Sequence, residues 1–177
     1  SALLHANIDK DNHNWQNKLI NFMLKQIEEF FCADKEDVRL DYIVGAIYEN
    51  FATSSQKAIN AGQIKVTIPA LDDVKNEVKR IFNEGDINMK IVNSDNDVNS
   101  MLDRNTGQLR LDASVNIFIG GSILDRGITI NNMLCFFYGR DPKNFQQDTV
   151  LQHARMYGAR SKEDMAVMRL HTTPHIY

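Results

Sequence analysis

Val115-Asn116-Ile117-Phe118-Ile119-Gly120-Gly121-Ser122-Ile123-Leu124-Asp125-Arg126-Gly127-Ile128-Thr129 is the stretch on which the fold of this 177-residue chain turns. Its first five residues are apolar and β-branched apart from Asn116 and Phe118, so they predict a buried strand, and the glycine pair falls where that strand ends and its loop begins. Such a loop brings backbone close to a ligand. Further along stands Gln152-His153-Ala154-Arg155-Met156-Tyr157-Gly158-Ala159-Arg160, which puts a glutamine and arginines at the end of a helix expected over Asn144 to Tyr157. Two such elements near one sheet edge suit a phosphate-bearing ligand.

Working outward, Leu3 to Ala6 reads as a short buried strand. Asp11 to Phe31 reads as a long amphipathic helix with Trp15, Leu19, Phe22, Met23, Ile27 and Phe30 on its core face. Asp34 to Ala61 continues helically, with Val38, Tyr42, Ile43, Ile47 and Phe51 at helical spacing and Gly62 as a stop. Ile64 to Ile68 is short and β-branched, a strand pattern. Pro69 suits the first turn of a helix that runs to Phe82 and ends at Asn83-Glu84-Gly85. Met89 to Val92 is a further buried strand. Asp95 to Gly107 is polar and turn-rich with room for one helical turn, and Gln108 to Leu111 suits an edge strand. Met133 to Tyr138 and Met165 to His171 complete the strands. Strands alternating with helices predict an α/β fold, a mostly parallel sheet with helices on both faces and right-handed crossovers. The Gly120 loop, the Gly139-Arg140-Asp141 loop and the His5 to Asp9 segment should then gather at the carboxyl ends of the strands.

Composition bounds the partners. A chain of this length with 43% apolar residues can bury one sizeable core, so residues 1–177 are expected to form a single domain. A net charge of −3 excludes a general nucleic-acid glue and leaves only a focal polyanion contact. Cys32 and Cys135 are far apart, with no metal or redox spacing, and read as reduced core thiols of a cytoplasmic protein. No apolar run reaches membrane-spanning length. The abrupt apolar start, Ala2-Leu3-Leu4, and the close on Pro174-His175-Ile176-Tyr177 suggest a part of a longer protein. The phosphate-cradling Gly-x-x-x-x-Gly-Lys-Ser/Thr pattern does not occur in these residues.

The Gly-Gly-Ser-x-Leu-x-Arg-Gly-x-Thr loop resembles motif V of superfamily 2 helicases, and Gln-x-x-Arg-x-x-Gly-x-Arg resembles their motif VI, the arginine-finger element. More closely, both resemble the Z-one domain of endonuclease- and helicase-like ATPases, whose pattern also has an aspartate just before the motif VI glutamine, as Asp148 stands here. The resemblance implies a three-layer RecA-like domain of the P-loop NTPase type, the second motor domain of a helicase or translocase. A first RecA-like domain would carry the phosphate loop and the magnesium-binding acid, so ATP and Mg2+ are cofactors of the whole motor. A planar, permanently charged guanidinium stabilises charge on the transferring phosphoryl oxygens without protonation control. Arg155 and Arg160 are both candidates for that role. The wider superfamily spaces its two motif VI arginines three apart, whereas here they are five apart. On the same resemblance Gln152 holds the nucleotide or the arginines in register, and Gly127 allows close backbone approach. Thr129 takes the place where many relatives meet the ribose with an acid, and Arg126 braces the two domains. Gly121 and Ser122 contact a nucleic-acid phosphate, with DNA the expected partner.

Other readings compete. The same fold could serve as a catalytically silent interaction domain in a restriction or defence complex. Asp72 or Asp73 with Glu77 and Lys79 could form a magnesium-dependent nuclease set, although one helix carries them all and a solvated face is the simpler reading. His171 and His175 flank Pro174, which forbids the regular helix that would aim both at one metal.

Overall fold

The structure, a computed structural model, describes residues 1–5, 10–32, 38–121, 129–130, 132–139 and 160–174. In chain order the strands are β1 (Ala2–His5), β2 (Ile87–Val92), β3 (Leu102–Asp103), β4 (Gln108–Leu109), β5 (Val115–Gly120), β6 (Thr129–Ile130), β7 (Cys135–Tyr138) and β8 (Arg169–Thr172). The helices are α1 (Lys10–Cys32), α2 (Val38–Asn60), α3 (Leu71–Glu84), α4 (Asp95–Met101) and α5 (Lys162–Val167). Two compact units share them. The first comprises Ser1–Leu19, Ile87–Arg160 and Met168–Tyr177, and the second Ile20–Asp86 and Ser161–Val167.

The first unit is built on a five-stranded sheet in the order β2-β5-β1-β7-β8, in which every neighbouring pair is parallel. Parallel strands are buried on both faces and so read as nearly continuous apolar runs, which is why the Leu3 and Phe118 segments were legible. Leu3 lies opposite Phe118 on one side and Phe136 on the other, and all three are buried. They join Val92, Val98, Met101, Leu109, Ile130, Met133 and Tyr138 in one core. A smaller sheet, β3-β4-β6, pairs β3 with β4 antiparallel and β4 with β6 parallel. Its hairpin turns on Gly107 at φ +68°, whose N–H donates to the Asp103 carbonyl at 2.8 Å, while the Asp103 carboxylate accepts the Asn105 N–H at 2.8 Å. That local bond is the Asx pattern that favours a turn over a longer strand. Gln108 and Leu109 are therefore the middle of a small sheet, not the edge expected from their sequence.

The second unit is helical. Gly85 ends α3 at φ +64°, its N–H bonded to the last-turn carbonyl of Phe82, the left-handed cap that glycine supplies at least cost. Pro69 stands one residue before the Ala70 N-cap, so it precedes the helix rather than opening its first turn. Phe31 stacks on Phe82 at 5.2 Å between centroids, Lys75 pairs with Asp41 at 2.8 Å, and the Tyr48 hydroxyl donates to the Pro69 carbonyl at 2.9 Å. The Ser54 hydroxyl lies 2.7 Å from the Ala166 carbonyl and ties α2 to α5.

Three expectations are corrected. Ile64 to Ile68 forms no strand and pairs with no strand among the described residues, and Ile64 alone is buried there. Met165 to Val167 belong to α5, where Ser161 accepts the Asp164 N–H at 3.0 Å, and the strand begins only at Arg169. The apolar stripes of α1 and α2 form at the expected spacing but are not core: Trp15 and Phe22 are 61% and 62% exposed, Val38 and Tyr42 80% and 76%. Leu19, Met23, Phe30, Ile43 and Ile47 are exposed as well. Periodicity defines a face but not what meets it. Among the described residues no helix is long and apolar enough to cross a membrane. The parallel strand order and the helical content make this an α/β three-layer arrangement, consistent with the RecA-like class.

A Cβ at Gly85 would meet nothing within 4 Å, so Gly85→Ala should cost only the left-handed backbone, about 1 kcal/mol, whereas Phe118→Ala should cost about 3–5 kcal/mol through a core cavity. Urea unfolding followed by circular dichroism measures both.

Candidate functional site

Because all five strands of the main sheet run the same way, their carboxyl ends lie on one edge. The register sets Val92 beside Gly120, His5 beside Tyr138, and Tyr138 beside Thr172, with Leu4 opposite Ile119 joining the two groups. The chains leaving Gly120, His5 and Gly139 thus start together, the placement that α/β sheets use for ligands. Gly120 and Gly121 are both buried, so the backbone there has no room lost to a side chain.

Polar side chains concentrate at this edge. The His5 ring, fully buried, stacks on Tyr138 with centroids 5.5 Å apart and planes 13° from parallel, and Phe136 meets Tyr138 edge-on at 5.9 Å. The Gly139 N–H donates to the His5 carbonyl at 2.9 Å, extending the pairing one residue past the strand. After β2, Ser94 caps α4 by accepting the Asp97 N–H at 3.2 Å, and Asp97 returns the bond by accepting the Asn93 N–H at 2.9 Å. This reciprocal capping box fixes Asn93, whose side-chain oxygen meets Nδ1 of the buried His13 on α1. At the end of β8, the Thr172 and Thr173 hydroxyls are buried and have no hydrogen-bond partner among the described residues. His13, Asn93, Thr172 and Thr173 were not singled out from sequence. Their signal, polar residues at the ends of strands, becomes readable only once the register is known.

Arg160 lies elsewhere. Arg160 donates from Nη2 to the carbonyl of Ile130, the residue after Thr129 in β6. It is close enough for its charge to act on the Ser1 nitrogen, which in turn donates to the Asn132 carbonyl, and the Leu134 N–H donates to the Ser1 carbonyl at 2.9 Å. Ser1 precedes β1, so Arg160 sits where the central strands begin. Gly120 and Gly121 sit where they end, about 13 Å away at some 3.3 Å per residue over the length of β1. Of the arginine motif only Arg160 is described, and it meets the Ile130 end of the loop rather than the Gly120–Gly121 end. A loop that leaves the carboxyl end of β5 and returns to β6 has members at both ends of the sheet, and Arg160 meets its returning end. Arg160 also does not reach away from the core, as its place past the expected helix suggested. It is half-buried, its Nε is fully enclosed without an acceptor, and among the described residues no carboxylate pairs with it.

Gln152, Arg155, Arg126, Gly127, Ser122 and Asp148 lie outside the described residues, as do Arg140, Asp141 and His175. Thr129 is described in its backbone, paired with Gln108. The nuclease constellation does not assemble: Asp72, Asp73, Glu77 and Lys79 are exposed on α3, and Glu77 is held by Arg80 at 2.8 Å, which lowers its pKa through that hydrogen bond. Arg80 also pairs with Glu84 on the same helix, the arrangement of a solvated face. Among the described residues no group of three or more His, Cys, Asp or Glu side chains could hold a metal ion. Cys135 is a free thiol, half-buried.

A family model described as the Z1 domain, the Z-one domain named above, matches residues 1–177. No curated protein matches the chain, and no solved structure matches it.

Burial pushes the Cys135 thiol above its ordinary range. In the unfolded chain the thiol ionises first, near pH 8.5, so the unfolded state binds fewer protons above that pH and stability falls as pH rises further. In the folded protein, alkylation of Cys135 by iodoacetamide at pH 8 should be slower than that of a free thiol and should keep rising past pH 9, read by peptide mass spectrometry.

Proposed function

Because the chain belongs to the Z1 domain family, we propose that it is the second motor domain of a nucleic-acid-dependent ATPase, a helicase or translocase whose ATP site another domain completes. The observation that carries this reading is the contact between Arg160 and the Ile130 carbonyl, which joins the arginine-bearing segment to the returning end of the glycine-rich loop. In this reading the loop has two tasks at its two ends. Gly121, at the carboxyl end of β5, and the Ser122 that follows it in sequence meet a nucleic-acid phosphate through backbone and hydroxyl. On the family resemblance, Arg126, Gly127 and Thr129 serve the nucleotide.

The residues fit a triphosphate. Arg160 is a partly buried cation whose described partner is a neutral carbonyl, so it leaves positive potential for an anion. On the family resemblance, the Mg2+ that accompanies ATP is held by an acid of the first RecA-like domain. ATP bound there supplies the phosphoryl group that is transferred to water. On the family resemblance this chain supplies the cations, with Arg155 and Arg160 the two candidates, and Gln152 holds the nucleotide or the arginines in register. Closure of the domain would place positive charge beside the phosphoryl oxygens where negative charge grows. Nucleic acid, DNA in the first instance, is held by phosphate contacts that position a strand without reading its sequence.

In the protein that unites this domain with a phosphate-loop domain, Arg155→Ala should lower kcat by about 10³-fold or more, the range for loss of an arginine finger, in a nucleic-acid-stimulated phosphate-release assay. Unchanged turnover would replace the motor reading with that of an interaction domain. The domain by itself should bind single-stranded DNA with an affinity that falls steeply between 50 and 200 mM salt, roughly in proportion to the number of phosphates contacted, as fluorescence anisotropy would record.

A further inference from the structure

The Arg160 contact bears on a question that the motif leaves open, namely what each of the two arginines does. A guanidinium grips a phosphate best with two parallel N–H groups. On Arg160 the edge formed by Nε and Nη2 is turned into the protein: Nη2 donates to the Ile130 carbonyl, and Nε is enclosed with no acceptor. That Nε–Nη2 edge is therefore turned inward, which leaves the Nη1–Nη2 end, with Nη2 already shared, for any outside ligand. What the inward edge holds is backbone at the exit of the glycine-rich loop, in a strand whose Ile130 is fully buried and registered against Leu109. Two residues on, Asn132 adopts φ +49°, a left-handed conformation unusual outside glycine, and its carbonyl accepts from the Ser1 nitrogen beside β1. From there Leu134 is bonded to the Ser1 carbonyl and, through its own carbonyl, to the Arg169 N–H of β8 at 2.7 Å. One cation thus clamps the start of a chain of backbone bonds that reaches the central and edge strands.

We propose that Arg160 is a positioning residue: it fixes the backbone that follows Thr129, and through it the nucleotide-facing end of the loop, while the contact with the γ-phosphate is made by another cation. This rests on the motor reading for its functional meaning but not for its structural content. A carbonyl needs only one N–H, so lysine can stand in for arginine at a positioning site. A bidentate phosphate contact tolerates that change poorly.

The experiment has two arms. By hydrogen exchange with mass spectrometry, Arg160→Ala should speed exchange of the 129–136 segment about tenfold or more, the cost of losing a hydrogen bond from a charged donor, and Arg160→Lys should restore most of the protection. No change in that segment with Arg160→Ala overturns the clamp. In the complete ATPase, Arg160→Lys should lose far less kcat than Arg160→Ala, and Arg160→Ala should raise KM for ATP more than it lowers kcat. If Arg160→Lys instead loses kcat as fully as Arg160→Ala, with KM unchanged, Arg160 touches the phosphate and the proposal fails. If the parent protein hydrolyses no ATP, the motor reading fails alone, and the exchange arm still decides whether Arg160 holds this backbone.

Discussion

Four residues near the start of the chain, Ala2–His5, are hydrogen-bonded along both edges, to β5 on one side and β7 on the other. A central parallel strand cannot pair with its sequence neighbours, since a parallel partner needs a crossover, so β1 waits for segments more than a hundred residues away. Its pairing sets the register of the sheet, and the register determines which residues share the carboxyl edge. The core follows from the same constraint. Leu3 sits between Phe118 and Phe136, and the stack of His5 on Tyr138 continues it to the edge.

The glycine-rich loop takes its meaning from that sheet. Gly120 leaves the carboxyl end of β5, while Thr129 and Ile130 return into a small sheet near the beginning of β1. The described ends of the loop are thus held at opposite ends of one packed sheet. A displacement at one anchor cannot be absorbed by the sheet, whose packed strands resist deformation. The capping box at Ser94 and Asp97 gives the neighbouring β2 exit the same rigidity and holds Asn93 where His13 can reach it.

Some elements were legible and others were not, for separable reasons. Gly85 could be read as a helix stop because left-handed backbone is a local demand met by one residue type. β5 and β7 were legible because burial on both faces leaves a run of apolar residues. The stripes of α1 and α2 were legible as stripes, yet Trp15 and Tyr42 are exposed, since an amphipathic pattern records the existence of a face and nothing of its partner. The Ile64 to Ile68 segment had the composition of a strand without a strand to pair with among the described residues, which is a tertiary condition. At the site, Gly121 and Arg160 were both identifiable by residue type. Their separation at opposite ends of the sheet was not, because it depends on where the chain re-enters after the loop.

By itself the sequence determined the class of fold, through the alternation of apolar runs and helical periods. It also determined the family, through the Gly120 to Thr129 and Gln152 to Arg160 patterns that residues 1–177 carry together. These are properties of local spacing, and local spacing survives in a string of letters. The tertiary structure decided the strand order β2-β5-β1-β7-β8, the gathering of His5, Asn93, Tyr138 and Thr172 on one edge, and the inward turn of Arg160 onto Ile130. Each is a pairing between residues distant in the chain. Its free energy depends on which groups are left unpartnered elsewhere, a quantity that exists only when the whole chain has been placed.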